Sequence, residues 1–138
     1  MLRRDYLQKQ LEELARVLGK MLDEILKLRT EGKTDEAYAL AKESLIEKFE
    51  LDMENILALS LADFKNLVIE SNRSNPVQLS YLADLLYTSA TLSKEKGERG
   101  QALELFKRSL MIYEYLDKSQ RTYSAERHEK INNIKKEL

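Results

Sequence analysis

The 138-residue chain has no cysteine, no tryptophan, one histidine, one proline and four glycines. Without cysteine there is no disulfide, no zinc-thiolate site and no cysteine nucleophile. One histidine cannot supply the two Glu-x-x-His motifs of a di-iron helical bundle, and the residue three before His128 is Ala125. Five glycines and prolines in 138 residues fall well below ordinary usage of ~7% Gly and ~5% Pro, which excludes a fold rich in tight turns. Strand-favouring residues are scarce too: Val, Ile and Thr number 3, 7 and 5 against 25 leucines, a balance that suits helices and works against sheets. Long apolar runs are missing. After Arg3 and Arg4, the polar residues Gln8, Lys9, Gln10, Glu12 and Glu13 interrupt any apolar segment, so the start reads as neither signal peptide nor membrane anchor, and a cytoplasmic location is expected. The glycine patterns that cradle phosphates and the Gly-x-Ser-x-Gly elbow of hydrolases are absent from the sequence.

What is present is apolar and charged in nearly helical alternation. Hydrophobic residues make up 43% and charged residues 34%, enough for one core in a chain of single-domain length. The net charge of −1 argues against a polyanion binder, which carries a basic excess. The charge is unevenly spread: residues 31–63 hold nine acidic and three basic groups, and residues 118–138 hold six basic and three acidic. These are read as solvated helix faces, with an acidic end meeting a basic end across an interface as the sharper alternative.

The apolar spacing predicts the helices. Leu7, Leu11, Leu14, Leu18, Met21, Ile25 and Leu28 alternate steps of four and three, with Leu22 and Leu26 widening the stripe, over a first helix of about residues 2–31. Gly19 lies inside it as a kink or close-packing point. Glu31, Gly32 and Lys33 end that helix, and Thr34 is expected to cap a second running to about residue 50 with Ala37, Ala41, Leu45 and Phe49 inward. Asp52 and Ser60 both look like helix starts, so residues 52–72 are either one bent helix or a short helix followed by a longer one. Asn75 precedes Pro76 at the first position of a helix over 76–96, with Gln78 placed to reach back. A helix over 100–117 burying Ala102, Leu105, Phe106, Leu110 and Tyr113 follows. A closing helix over 124–137, capped by Ser124, buries Ile131 and Ile134.

Two glycine-led turns echo each other. Gly32 and Ala37, and Gly97 and Ala102, share the spacing Gly-x-x-x-x-Ala, and seven residues after each alanine stands a small residue, Ser44 or Ser109. The alanines lie 65 residues apart, close to twice the ~34-residue tetratricopeptide period. Ala90, Ala102 and Phe106 fall on the small, small and aromatic positions of that repeat. The first unit departs from it at Ile25 and Ala41, and residues 52–75 hardly match. Arg3-Arg4-Asp5-Tyr6, the run Tyr81 to Tyr87, and Tyr113 to Asp117 with Thr122 to Arg127 resemble a family of small bacterial proteins with tetratricopeptide-like helices. The resemblance implies an all-α antiparallel helix-pair stack of about six helices in a single domain over 1–138. Within it, residues 1–50 form the long first helix and first repeat, 51–75 a degenerate middle, 76–117 the second repeat and 118–138 a capping helix. It carries no activity with it. Tetratricopeptide arrays in general imply a peptide or partner protein bound along a concave face.

The repeat alignment places Asp84, Tyr87, Thr91 and Lys94 on the inner face that lines such a groove, and these are the expected partner contacts. Seven tyrosines support this, because a phenol packs its ring while its hydroxyl stays wet; packing at the core edge is the plainer role for each. His128, beside Glu126 and Glu129, is expected either to cap or to pack against Tyr123. Glu36, Glu43, Glu47 and Glu50 line one face of the second helix, and Lys9, Arg16, Lys20 and Lys27 one face of the first; both are expected to be solvated. The expected function is therefore a non-enzymatic protein-interaction or scaffold module without cofactor or metal, with a homodimer through the long first helix as a further expectation. The alternative is a small-ligand binder or an enzyme using carboxylates. Nucleic-acid binding rests only on Lys118, Arg121, Arg127, Lys130, Lys135 and Lys136.

Overall fold

The computed structural model of the chain describes residues 2–120 and 123–138. Their regular structure is all helical: α1 (Leu2–Thr30), α2 (Thr34–Phe49), α3 (Met53–Ala58), α4 (Leu61–Phe64), α5 (Pro76–Glu95), α6 (Arg99–Ser119) and α7 (Ala125–Glu137). The expected all-α class is what the chain adopts. α1 pairs with α2 and α5 with α6, and α5 lies against both members of the first pair. α7 packs on α6. One buried cluster runs from Leu18 of α1 through Leu45, Phe64, Leu82 and Phe106 to Ile134 of α7. No helix among the described residues is long and apolar enough to cross a membrane.

The two helix-pair turns are built alike. Gly32 and Gly97 take φ of 78° and 84°, values that carry a steric cost for any residue with a Cβ. In the first turn the amides of Gly32 and Lys33 donate to the carbonyls of Arg29 and Leu28, and in the second those of Gly97 and Glu98 donate to Lys94 and Ser93. The amides of Ala37 and Ala102 then donate to Lys33 and Glu98, so each connection ends one helix and begins the next within three residues. This tightness corrects the expected cap of α2. Lys33 occupies the capping position without a side-chain bond, and Thr34 is already the first helical residue. α6 likewise starts without a side-chain cap, at Glu98, whereas α3, α4, α5 and α7 are capped as their sequences suggest, since Asp52, Ser60, Asn75 and Ser124 accept from the amides of Glu54, Asp63, Gln78 and Arg127. Gln78 does reach back, but to the Asn75 side chain, whose Nδ2 donates to its Oε1.

The ambiguous middle is a short helix followed by a longer helical segment. Leu59 is extended between α3 and α4, and α4 continues as a π-helical turn over Lys65–Ile69 and a 3₁₀ turn over Glu70–Asn72. Arg108 of α6, only 2% exposed, holds this segment in place. Its Nε donates to the Ile56 carbonyl at 3.1 Å and its second terminal nitrogen to the Leu59 carbonyl at 2.7 Å, satisfying the free end of α3. Its other terminal nitrogen donates to the Glu104 carbonyl at 2.8 Å. The expected second-repeat boundary shifts slightly, because α6 runs to Ser119, and Leu110 is half-buried where full burial was expected.

The apolar stripe of α1 is covered along only part of its length. Leu18, Met21, Leu22 and Ile25 are buried, whereas Leu7, Leu11 and Leu26 are exposed and Leu14 and Leu28 are half-buried. The helix is unbroken at Gly19. A Cβ there would stand 3.7 Å from the Tyr81 hydroxyl, so the glycine marks close approach of α5 and not a kink.

Candidate interaction face

Asp84, Tyr87, Thr91 and Lys94 follow one another at steps of three, four and three, which places them on one side of α5. The structure brings all four to the side that faces α7. Asp84 Oδ1 accepts from the Tyr113 hydroxyl at 2.5 Å and from Lys130 Nζ at 2.9 Å. Asn133 Nδ2 donates to the Tyr87 hydroxyl at 3.2 Å, and Lys94 Nζ meets Glu137 Oε1 at 2.6 Å. Thr91 turns its hydroxyl back to the Tyr87 carbonyl at 3.0 Å. Residue numbers rise together along the two helices, so α7 runs parallel to α5. The face expected to be open to a partner therefore already carries the chain's own last helix on its polar side chains.

Clefts remain between these bridges. Tyr87 stands between two of them: one of about 320 Å³ with Glu126, Glu129, Lys130 and Asn133, and one of about 230 Å³ with Thr91, Lys94, Phe106 and Lys136 among its walls. Its ring meets Phe106 edge-on at 5.7 Å between centroids, and Lys130 Nζ lies 5.9 Å from its centroid. A third cleft of about 280 Å³ continues past Lys94 and Glu137 to Arg99 and Leu103. Tyr113, the phenol beneath Asp84, is buried, and that burial first and the neighbouring Asp84 charge second push its pKa well above the ordinary tyrosine value.

The root of α7 is held by Asp117. Its Oδ1 accepts from Arg127 Nε at 2.6 Å, and its Oδ2 lies 3.1 Å from His128 Nε2. Arg127 also donates to Gln120. His128 packs on Tyr123 at 4.6 Å between ring centroids, as expected, while its bond to Asp117 was missed. The signal was available, since Asp117 and the Arg127-His128 pair flank the loop that turns α6 into α7.

The other sequence candidates are dispersed. Of the basic residues near the C-terminus, Arg127 and Lys130 are committed to Asp117 and Asp84, Lys118, Lys135 and Lys136 are exposed, and Arg121 lies outside the described residues. Among the described residues no ion pair joins the acidic face of α2 to the basic face of α1; Arg16 pairs with Glu13 on its own helix. A cleft of about 400 Å³ between the α4 segment and α6, larger than those along α5, was not foreseen. Leu61, Ile69, Leu110, Met111 and Tyr115 line it, with Lys65, Lys107 and Lys118 at its rim. Among the described residues the one carboxylate of displaced pKa is Glu104, whose pKa is held low by its bond to Lys107, and this is a surface ion pair. No protein-family model, curated protein or solved structure matches the chain.

Proposed function

We propose that the chain is a protein-interaction module, a tetratricopeptide-like stack of two helix-pair repeats closed by α7, and that it holds a partner protein along the combined face of α5 and α7. The observation that carries this reading is the setting of Tyr87. Its half-buried ring stands between two clefts, with cationic Lys94, Lys130 and Lys136 and anionic Glu126, Glu129 and Glu137 around them. Tyrosine is among the residue types enriched at recognition hot spots, and the charges around it suit the polar rim of an interface. The clefts are shallow and separate, which suits side chains of a peptide or protein surface better than one enclosed small ligand.

The test leaves the contacts of Asp84 with Tyr113 and Lys130 and of Tyr87 with Asn133 intact, and of the bridges to α7 removes only the part-exposed Lys94–Glu137 pair. Affinity capture from the native cell by the wild-type chain is compared with capture by a Thr91→Ala, Lys94→Ala and Lys136→Ala variant whose circular dichroism is unchanged. Proteins held by the wild type should fall at least tenfold with the variant. Equal recovery of the same proteins by both would remove this face from the function.

A further inference from the structure

We infer that the cleft between the α4 segment and α6 seats a short acidic amphipathic helix of a partner protein. It shares no lining residue with the clefts along α5 and α7, and the inference does not depend on the reading given for that face. The cleft has two helical walls. On one, Leu61, Lys65 and Ile69 stand at steps of four. On the other, Leu110, Met111 and Tyr115 lie between Lys107 and Lys118. Those two lysines bracket three turns of α6, a length of ~16 Å. A groove of that length between two helices is the seat of a third, filled by apolar residues at i, i+3, i+4 and i+7.

The floor is built for an apolar occupant. Leu61 is 37% exposed, and Leu110, Met111 and Tyr115 are half-buried in a cleft of about 400 Å³. Met111 supplies the unbranched, polarizable side chain that adapts to whatever lies against it. The wall that carries Lys65 and Ile69 is the π-helical turn, a rare conformation that is frequent at functional sites.

Charge selects the occupant. Lys65 on one wall and Lys107 and Lys118 on the other surround the floor, against Glu114 as the single carboxylate of the lining. The Arg73 guanidinium lies beside the Tyr115 hydroxyl and is paired with Glu70, and Lys107 is paired with Glu104. Among the described residues Lys65 and Lys118 form no ion pair, so each wall keeps an uncompensated cation. A fatty acid carries one anionic head and would meet one end of the groove, whereas Lys107 and Lys118 stand at its two ends. Nucleic acid would leave the apolar floor unused. A helix with acidic residues along both flanks of an apolar stripe answers the floor and both walls together.

The chain has no tryptophan, so one placed in the apolar stripe of a ~14-residue peptide reports its own burial by a blue shift. A peptide with leucine and that tryptophan at i, i+3, i+4 and i+7 and glutamate on both flanks should saturate the full chain with Kd of ~1–100 µM. The same peptide with lysine for glutamate should bind at least tenfold more weakly. Lys65→Glu with Lys118→Glu should also weaken the glutamate peptide at least tenfold, with circular dichroism and Tm retained because both side chains are exposed. Failure of the glutamate peptide to saturate the wild type overturns the inference, including where dodecanoate binds in its place. Equal affinity for the lysine peptide, or of the double variant, overturns it too. So does a wild-type dimer that the two reversals dissolve, because the acidic face of a second copy's α2 would then fill the groove.

Discussion

Removing the Asp84 carboxylate tests whether the α5–α7 face is held together in the way its geometry indicates. Asp84 accepts from two elements at once, Tyr113 of α6 and Lys130 of α7. Asp84→Ala takes the acceptor from a phenol that is only 1% exposed, and an orphaned buried hydroxyl costs ~1–3 kcal/mol. The Ser109 hydroxyl touches the same phenol and offers a replacement acceptor, which holds that cost to the lower half of the range. The Lys130 pair is part-exposed, 31% and 22% for the two side chains, so its loss adds only ~0.2–1 kcal/mol. The sum is ~2 kcal/mol, or about 7 °C in Tm for a domain of this size. Tyr113→Phe should cost less, ~1 kcal/mol, because Asp84 keeps Lys130 and has access to water. The double variant should then fall short of the sum of the two by ~1 kcal/mol, the signature of a direct contact. Urea unfolding of the four proteins, followed by circular dichroism, measures all three quantities. Asp84→Ala within ~0.5 kcal/mol of wild type, or strict additivity in the double variant, would refute the reasoning.

Two further outcomes follow from groups buried in the same core. Arg108→Met keeps most of the side-chain volume but leaves the Leu59 carbonyl without its Arg108 donor and the Ile56 carbonyl with the Leu59 amide alone, and should cost ~1–3 kcal/mol in urea unfolding. Native-state hydrogen exchange should show α3 losing protection before α5 and α6, and uniform loss would contradict the assigned role. Tyr113, whose pKa is pushed above the ordinary value of 10.0, favours the neutral phenol in the folded state. Its contribution is fully present below pH 10 and is lost as pH rises from there through the folded value, because the unfolded chain releases that proton first. The wild type should therefore lose stability faster than Tyr113→Phe between pH 9 and 11.5, and superimposable pH profiles of the urea midpoint would exclude the effect.

The features legible in the sequence were those with a period. Steps of three and four gave the long helices, and the matched Gly-x-x-x-x-Ala spacings located two turns that prove to share their φ values and hydrogen bonds. The same periodicity gathered Asp84, Tyr87, Thr91 and Lys94 onto one face. It could not say what lies against that face, because α7 reaches it through side-chain pairing between helices distant in sequence. A trace of that pairing is present in retrospect: Lys130, Asn133 and Glu137 are spaced by three and four, and their order of charge answers Asp84, Tyr87 and Lys94. Arg108 left a similar trace, falling in step with buried Leu105, Ser109 and Ile112, where a charge signals a buried carbonyl partner. The π-helical turn at Lys65–Ile69, which lies against α6, left none.

The pairing of α7 with α5 changes what recognition on this face would require. Ile131 and Ile134 of α7 are buried in the core, so the helix is part of the folded body and the groove a partner meets is composite. Asp84 is turned inward to the fold, since Tyr113 and Lys130 share its Oδ1 and its side chain is 22% exposed. Lys94 remains 47% exposed even while bound to Glu137, and Tyr87 keeps one side of its ring toward each cleft. Of the four residues that periodicity selects, Asp84 thus serves to fix α7, Thr91 folds back on its own helix, and Tyr87 and Lys94 are left to contact a partner. A partner that binds there must tolerate α7 in place, so its affinity should track the outer charges of Lys94, Lys136 and Glu137 and fall with salt, as contacts between exposed charges do.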